Sequence, residues 1–345
     1  DGLAGSKGSS LESSRSTDVR PLAGPAVELD ALCGIGPDRG SSTLERPVTI
    51  TLDDSFRHAL AAIDAGDVQA LRQRLSADPR LVRERLESPG NWLKTQVGDA
   101  LDSSFQRPYL LWFVAEDPVR TGTLPANIAE IARTIIGEAE QAGANSLQEQ
   151  LDYALQLVCW SWIAPKCGVQ IDLIDTLLDA GASPAGAPDD ALVNGNRAAA
   201  EHLLSRGAPL SLSAAVSLGR WEQATELLMS ATRRDRQMTL VQAALHGNVD
   251  GIKTLLQTDV GVSEVSPDLY SHATPLHHAV WSGSLDAVKI LVEAGADLVV
   301  MDTVHEATPL GWAEYAQETH ADPVKAMQYA AIADYLRGIM KGDAA

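Results

Sequence analysis

The triplet Thr274-Pro275-Leu276 returns as Thr308-Pro309-Leu310, 34 residues later. A fixed period of this length constrains the fold more than any bulk property. It is the signature of one supersecondary unit stacked on copies of itself. The stretch "LHHAVWSGSLDAVKILVE" (276–293) has a counterpart upstream in "LVQAALHGNVDGIKTLLQ" (240–257). Leu240, Ala243, Gly247, Val249, Ile252, Leu255 and Leu256 stand at equivalent places. "LSAAVSLGRWEQATELLM" (212–229) repeats the framework through Gly219, Ala224, Leu227 and Leu228. "LVNGNRAAAEHLLSRGAPL" (192–210) is a shortened copy, and "IDLIDTLLDAGASP" (171–184) is the second half of another. Residues 128–146 and 59–75 are more degenerate members.

The unit reads as two short helices. Thr274 suits an N-cap, where a hydroxyl accepts from an orphan N–H of the first turn. Pro275 suits the first helical position, where its missing N–H costs nothing. Leu276, Ala279 and Val280 make a buried stripe, and Ala279 is small enough to let neighbouring helices approach. Gly283 permits the tight turn. Leu285, Val288, Leu291 and Val292 recur at three- and four-residue steps and give the second helix an apolar face. Gly295 ends that helix, and "ADLVVMDTVHE" becomes a projecting loop. No alternating strands flank Asn-Gly or Asp-Gly turns, so the expected fold is all-α. One unit cannot bury its own apolar face, so stability comes from stacking.

The order Thr-Pro-Leu-His-x-Ala, then Gly, then a Gly-Ala ending, in "TPLHHAVWSGSLDAVKILVEAGADLVVMD", resembles the ankyrin repeat. The resemblance covers about 53–345, closely over 212–320 and loosely before 190. It implies an ankyrin-repeat solenoid of stacked helix–turn–helix units whose loops project to one side. Residues 53–345 are then one ankyrin-repeat domain of about seven to eight repeats, with long inter-helix loops in the N-terminal half. There the pattern predicts an insertion at 84–107, a helix over 108–116 and a second long loop. Helices over 127–141, 147–163 and 170–180 follow. Extra length on one side of several repeats either enlarges a binding face or is drift in exposed loops. Residues 1–48, beginning "DGLAGSKGSSLESSRSTDVR", lack an apolar period and read as a disordered leader or a non-native segment.

Charge narrows the partners. The net charge is −19, which repels phosphate backbones and argues against nucleic acid. It suits a basic or amphipathic protein partner. No apolar run reaches the length of a membrane span, and no signal peptide is visible. Cys33, Cys159 and Cys167 form neither a disulfide framework nor a zinc knuckle. Cys159, in an apolar run, reads as an inert buried thiol. The expected setting is cytoplasmic and the expected state a monomer.

For His277 the resemblance implies a structural hydrogen bond that ties a loop to its helix. Gly311 stands in its place in the next copy and lacks that tie. His278 and Trp281 occupy variable positions that face the concave groove of ankyrin stacks. Trp312 and Tyr315 are their equivalents. Aromatic anchors in concave settings are typical interface hot spots. Trp112, Trp160 and Trp162 fall in upstream first-helix segments, the first two reading as rings packed within the stack. His272, Asp302, His305 and Glu306 lie in the flanking loops. Such a cluster is able in principle to bind a metal or to move protons. Loop tips of this family usually carry polar residues for partner recognition, and that reading is preferred, with Asp297 turning the loop.

The chain is therefore expected to be a non-enzymatic protein–protein interaction scaffold, binding through its concave groove and loop tips. His278, Trp281, Asp302, His305, Glu306, Trp312 and Tyr315 are the expected contacts. No catalytic, cofactor-binding or metal-binding residue is expected, since no nucleophile elbow, HExxH, P-loop or dinucleotide motif occurs. The alternative is an enzyme or small-molecule binder with a pocket formed by the stretched N-terminal loops. A third reading is an adaptor module of a larger effector or toxin.

Overall fold

An alanine recurs at one buried position of successive first helices. Ala215, Ala243, Ala279 and Ala313 are each at most 1% exposed, and this lets those helices lie side by side. The computed structural model describes residues 50–342; the expected leader at 1–48 lies outside them.

The described residues form α1 (Leu52–Asp64) and α2 (Val68–Ala77), then α3 (Arg80–Arg83), α4 (Asn91–Val97) and α5 (Ile128–Gln141). α6 (Leu147–Trp160), α7 (Ile163–Lys166) and α8 (Gln170–Asp179) follow, then α9 (Ala187–Val193) and α10 (Arg197–Ser205). The C-terminal pairs are α11 (Leu212–Leu218) with α12 (Trp221–Ser230), and α13 (Arg233–Leu245) with α14 (Val249–Leu255). α15 (Pro275–Ser282) with α16 (Leu285–Glu293), and α17 (Pro309–Thr319) with α18 (Pro323–Gly342), complete the series. Among the described residues there is no strand, only an isolated bridge between Ser266 and Leu269.

The first helices form one row, in which α6, α9, α11, α13, α15 and α17 each touch the next. The second helices make an outer row: α5 touches α8 and α8 touches α10, while α14 touches α16 and α16 touches α18. This is an all-α solenoid. The turn between the two rows needs glycine. Gly247 has φ of +60°, and a Cβ there would stand 2.7 Å from Ser284 Cβ. Gly283 plays the same part at the end of α15, with φ of +76°.

The N-terminal half differs from expectation in three places. Residues 84–107 are not merely a loop. They contain α4 and a 3-10 turn, Gly98–Asp102. Asp53 organises this start, accepting from the Gly90 N–H and the Trp92 indole at 2.9 Å each, while Leu93 and Val97 bury one face of α4. The helix expected over 108–116 is a 3-10 turn, Leu110–Ala115, with all six residues buried. A short segment enclosed on every side has no amphipathic period to hold an α-helix. Left-handed Glu116 and the Asp117-Pro118 peptide stop it. The helix expected over 147–163 breaks at extended Ser161 into α6 and α7.

The stacking accounts for stability in a way that substitutions can read. Ala279→Leu forces α15 away from its neighbours and is expected to cost about 1–3 kcal/mol by overpacking. Leu291→Ala, at a fully buried site, is expected to cost about 2–5 kcal/mol through the cavity it leaves. Met327→Ala, at an exposed site on α18, should stay within about 0.5 kcal/mol. Urea titrations followed by far-UV circular dichroism measure all three, and an undiminished Ala279→Leu midpoint would contradict the close approach.

Candidate functional site

The site is assembled around the start of α15 and the loop that leads into α17. Thr274 is the extended N-cap of α15 and forms a capping box with His277. His277 is fully buried. Its Nδ1 accepts from the Thr274 backbone N–H at 3.3 Å and lies 2.8 Å from the Thr274 hydroxyl. Since Nδ1 accepts, the proton sits on Nε2, which donates to the Ala307 carbonyl at 3.0 Å. This neutral ring ties one unit to the loop of the next. Burial holds its pKa below the usual histidine value.

Asp302 fixes the same loop from within. Its Oδ1 accepts from the N–H groups of Val304 (2.9 Å) and His305 (2.6 Å). Its Oδ2 accepts from the Ala307 N–H (3.1 Å) and the Trp312 indole (2.9 Å). Burial works to raise this carboxyl, but the four N–H donors outweigh it and hold the pKa at about 2. Gly311 does lack the histidine tie, but Trp312, one position on, supplies another by holding Asp302. The sequence placed Asp302 among exposed contacts. It is only 2% exposed, and its oxygens are committed to the loop.

His278 also departs from expectation. It was expected on the open groove and is 3% exposed. The long loop after α14 folds over it, bringing the Tyr270 ring to 5.7 Å and the His272 ring to 6.2 Å. Its equivalent in α13 is Gln242, which is buried as well. The Nε2 atoms of His272 and His278 meet no hydrogen-bond partner among the described residues. Burial depresses both pKa values, that of His278 to about 3, with a smaller contribution from His272.

The remaining expected contacts reach solvent. Trp281 is 44% and Tyr315 58% exposed, while Trp312 is half-buried and His305 and Glu306 are exposed. The Trp312 ring bridges them, with His305 at 6.1 Å and Trp281 at 6.0 Å. Tyr315 follows Trp312 by three residues on the same helix face. Sequence reasoning placed contacts on the loop tip but missed its apolar residues, Val299, Met301 and Val304, each more than half exposed. Their signal was three large apolar residues in a segment with no helical period, outside any face that stacking could cover.

The upstream tryptophans divide. Trp112 is buried and packs against Phe105, Tyr109 and Tyr153. Trp160 is half-buried and donates to Asp190 at 3.1 Å. Trp162 is exposed beside Lys166. In the stretched loops, the converging charges are Glu116, Arg120 and Asp64. Glu116 Oε1 accepts from the Arg120 and Gly122 N–H groups, and Arg120 donates to Asp64 at 2.7 Å, so these groups close a loop. Two open depressions, of about 400 and 450 Å³, are lined by residues between 192 and 248 and by Arg83 with residues 142–146 respectively, so neither draws on 84–125. No group of three or more His, Cys, Asp or Glu side chains suited to a metal occurs among the described residues.

The ankyrin-repeat family model matches residues 189–302, as three copies. Residues 189–302 carry ankyrin repeats. The matched stretch runs from α9 through α16 and ends at Asp302, before the second Thr-Pro-Leu. Ankyrin repeats are generally protein–protein interaction modules, typically without catalytic activity. A relative in Arabidopsis thaliana, "Putative E3 ubiquitin-protein ligase XBAT31", is 36% identical over 107 residues, 30% of this chain. The match spans only 22% of that protein's length. Among solved structures, the human ASB11 ankyrin repeat domain is 19% identical with a TM-score of 0.28, covering 60% of this chain and 98% of that one. The ankyrin repeat domain of Bcl-3, a member of the IkappaB family, is 18% identical with a TM-score of 0.30, covering 79% and 97%. No helix among the described residues is long and apolar enough to cross a membrane.

The buried histidines give the repeats a pH dependence with a definite sign. His272 and His278 have folded-state pKa values below their unfolded values of about 6.5, so the unfolded chain binds more protons as pH falls. Their contribution to stability is complete above about pH 6.5 and declines below it, for His278 as far as about pH 3. His278→Gln, copying Gln242, should therefore show a smaller drop in urea midpoint between pH 7 and pH 5 than the parent chain. Equal drops in the two proteins would remove His278 as a source.

Proposed function

We propose that the chain is a non-enzymatic protein–protein interaction scaffold that holds its partner on the inner face of α15 and α17 and on the tip of the 297–306 loop. One observation carries this reading. Trp281 and Tyr315, at equivalent positions of adjacent repeats, are exposed beside an apolar loop tip, and the half-buried Trp312 ring joins the two regions. Large rings on a rigid helix surface are the residue types that dominate interface energetics.

The contact set is Trp281, Trp312, Tyr315, His305 and Glu306, with Val299, Met301 and Val304 added. His278 and Asp302 lie behind the surface, the first covered by the 257–273 loop and the second fixing the 297–306 loop. Residues 53–345 are read as one repeat domain, monomeric and cytoplasmic. The thiols of Cys159 and Cys167, both free, are in keeping with a reducing compartment.

The tagged chain is used to capture partners from its native host, in parallel with the double variant Trp281→Ala/Tyr315→Ala. A partner held by the parent should fall at least about tenfold in the variant, since hot-spot rings are worth about 2 kcal/mol or more each. Far-UV circular dichroism should be unchanged. Equal recovery by both proteins would remove this face as the binding site.

A further inference from the structure

Charge at this face selects among partners. Residues 265–322 hold nine carboxylates, one lysine and no arginine. Lys289, Asp286 and Glu293 all lie on α16, in the outer row, with the lysine over the Tyr335 ring. Of the carboxylates, Asp268 is engaged by Arg234, Glu314 by Arg337, and Asp302 is buried in its loop. Glu306 and Glu318 are exposed and meet no cation among the described residues. They bracket the exposed rings. Glu306 adjoins His305 on the loop tip, and Glu318 follows Tyr315 by three residues on α17, continuing the face of Trp312 and Tyr315.

Resting on the protein-binding reading above, we infer that the occupant of this face is a cationic amphipathic segment of the partner. Its apolar side chains seat on Trp281, Tyr315, Val299, Met301 and Val304. Its lysines or arginines lie against Glu306 and Glu318. Apolar contact supplies the burial, since five large side chains are exposed on the two helices and the loop that meet at Trp312. The uncompensated negative field supplies selection, by repelling acidic segments and speeding encounter with basic ones. An arginine or lysine passing over Trp281 or Tyr315 also gains from the electron-rich ring face.

Three fluorescein-labelled peptides test this by anisotropy against the full chain. The first is an amphipathic helix-forming peptide of leucine and lysine, the second carries glutamate for every lysine, and the third carries serine for every leucine. The leucine–lysine peptide should bind at least about tenfold more tightly than either twin. Its affinity should fall as salt rises. Glu306→Gln/Glu318→Gln should weaken it by about tenfold and flatten the salt dependence, and Trp281→Ala/Tyr315→Ala should weaken it further. Equal binding of the glutamate twin overturns the inference. So does an affinity and salt dependence unchanged by Glu306→Gln/Glu318→Gln. If the native partner is lost with Trp281→Ala/Tyr315→Ala while its capture ignores both salt and the glutamine substitutions, the inference fails and the binding face stands. If native capture ignores the tryptophan and tyrosine substitutions, the face itself is wrong.

Discussion

Everything in the C-terminal stack depends on how closely the first helices approach. Ala215, Ala243, Ala279 and Ala313 occupy the contact, one per helix, with almost no exposure. A methyl group at that place sets the spacing of the row. The spacing then decides where the loop of one repeat meets the helix of the next. His277 reaches the Ala307 carbonyl only because α15 and α17 lie side by side. The same carbonyl accepts from the Asp302 N–H at 2.9 Å. A bulkier residue in the alanine row would therefore act beyond packing, by pulling apart a loop several residues away. Helix spacing and loop geometry are one constraint in this molecule.

The outer row is less uniform, and its least buried part is α12. Ala224 is the one residue of that helix that is buried, while Trp221 and Met229 are exposed. The apolar interior divides close to this point. One cluster runs from Phe56 to Leu218 and another from Leu212 to Leu336, with Leu210 packed against both. The continuous element across the division is the inner row, through α9, α11 and α13. In a solenoid, where each unit contacts only its neighbours, such a junction sets how far local opening on one side spreads to the other.

Much of this was legible in the sequence because it is local. Thr274, Pro275, His277 and Gly283 do what capping, turning and tying require of those residue types, and they do it within one unit. The periodicity of 276–293 gave both helices and both buried faces. What was not legible depends on contacts between distant residues. A helical pattern reports which positions share a face, but not what lies over that face. His278 shares the inner face with Trp281, yet it is covered because the 257–273 loop returns across it. Asp302 looked like a loop-tip carboxylate, and its burial depends on the Trp312 indole arriving from the next helix. The 3-10 turn Leu110–Ala115 was read as a helix because six apolar residues in a row carry no information about period.

The ties that escaped the sequence reading matter for recognition. A surface binds more tightly when its side chains are already held in the bound arrangement, because less conformational entropy is lost on association. Trp312 is held by Asp302, and its ring supports Trp281 edge-on at 6.0 Å. The Trp281 carbonyl in turn accepts from the Tyr329 hydroxyl at 2.9 Å, which links the end of α15 to α18. The loop tip has no helix of its own, but Asp302 closes it with three backbone N–H groups, and His277 fixes its far end. The buried polar groups thus do for the loop what the alanine row does for the helices. They convert a segment that would otherwise sample many shapes into a fixed edge of the binding face. The apolar residues it displays, Val299, Met301 and Val304, are each more than half exposed, and a loop held in this way presents them for contact with another molecule.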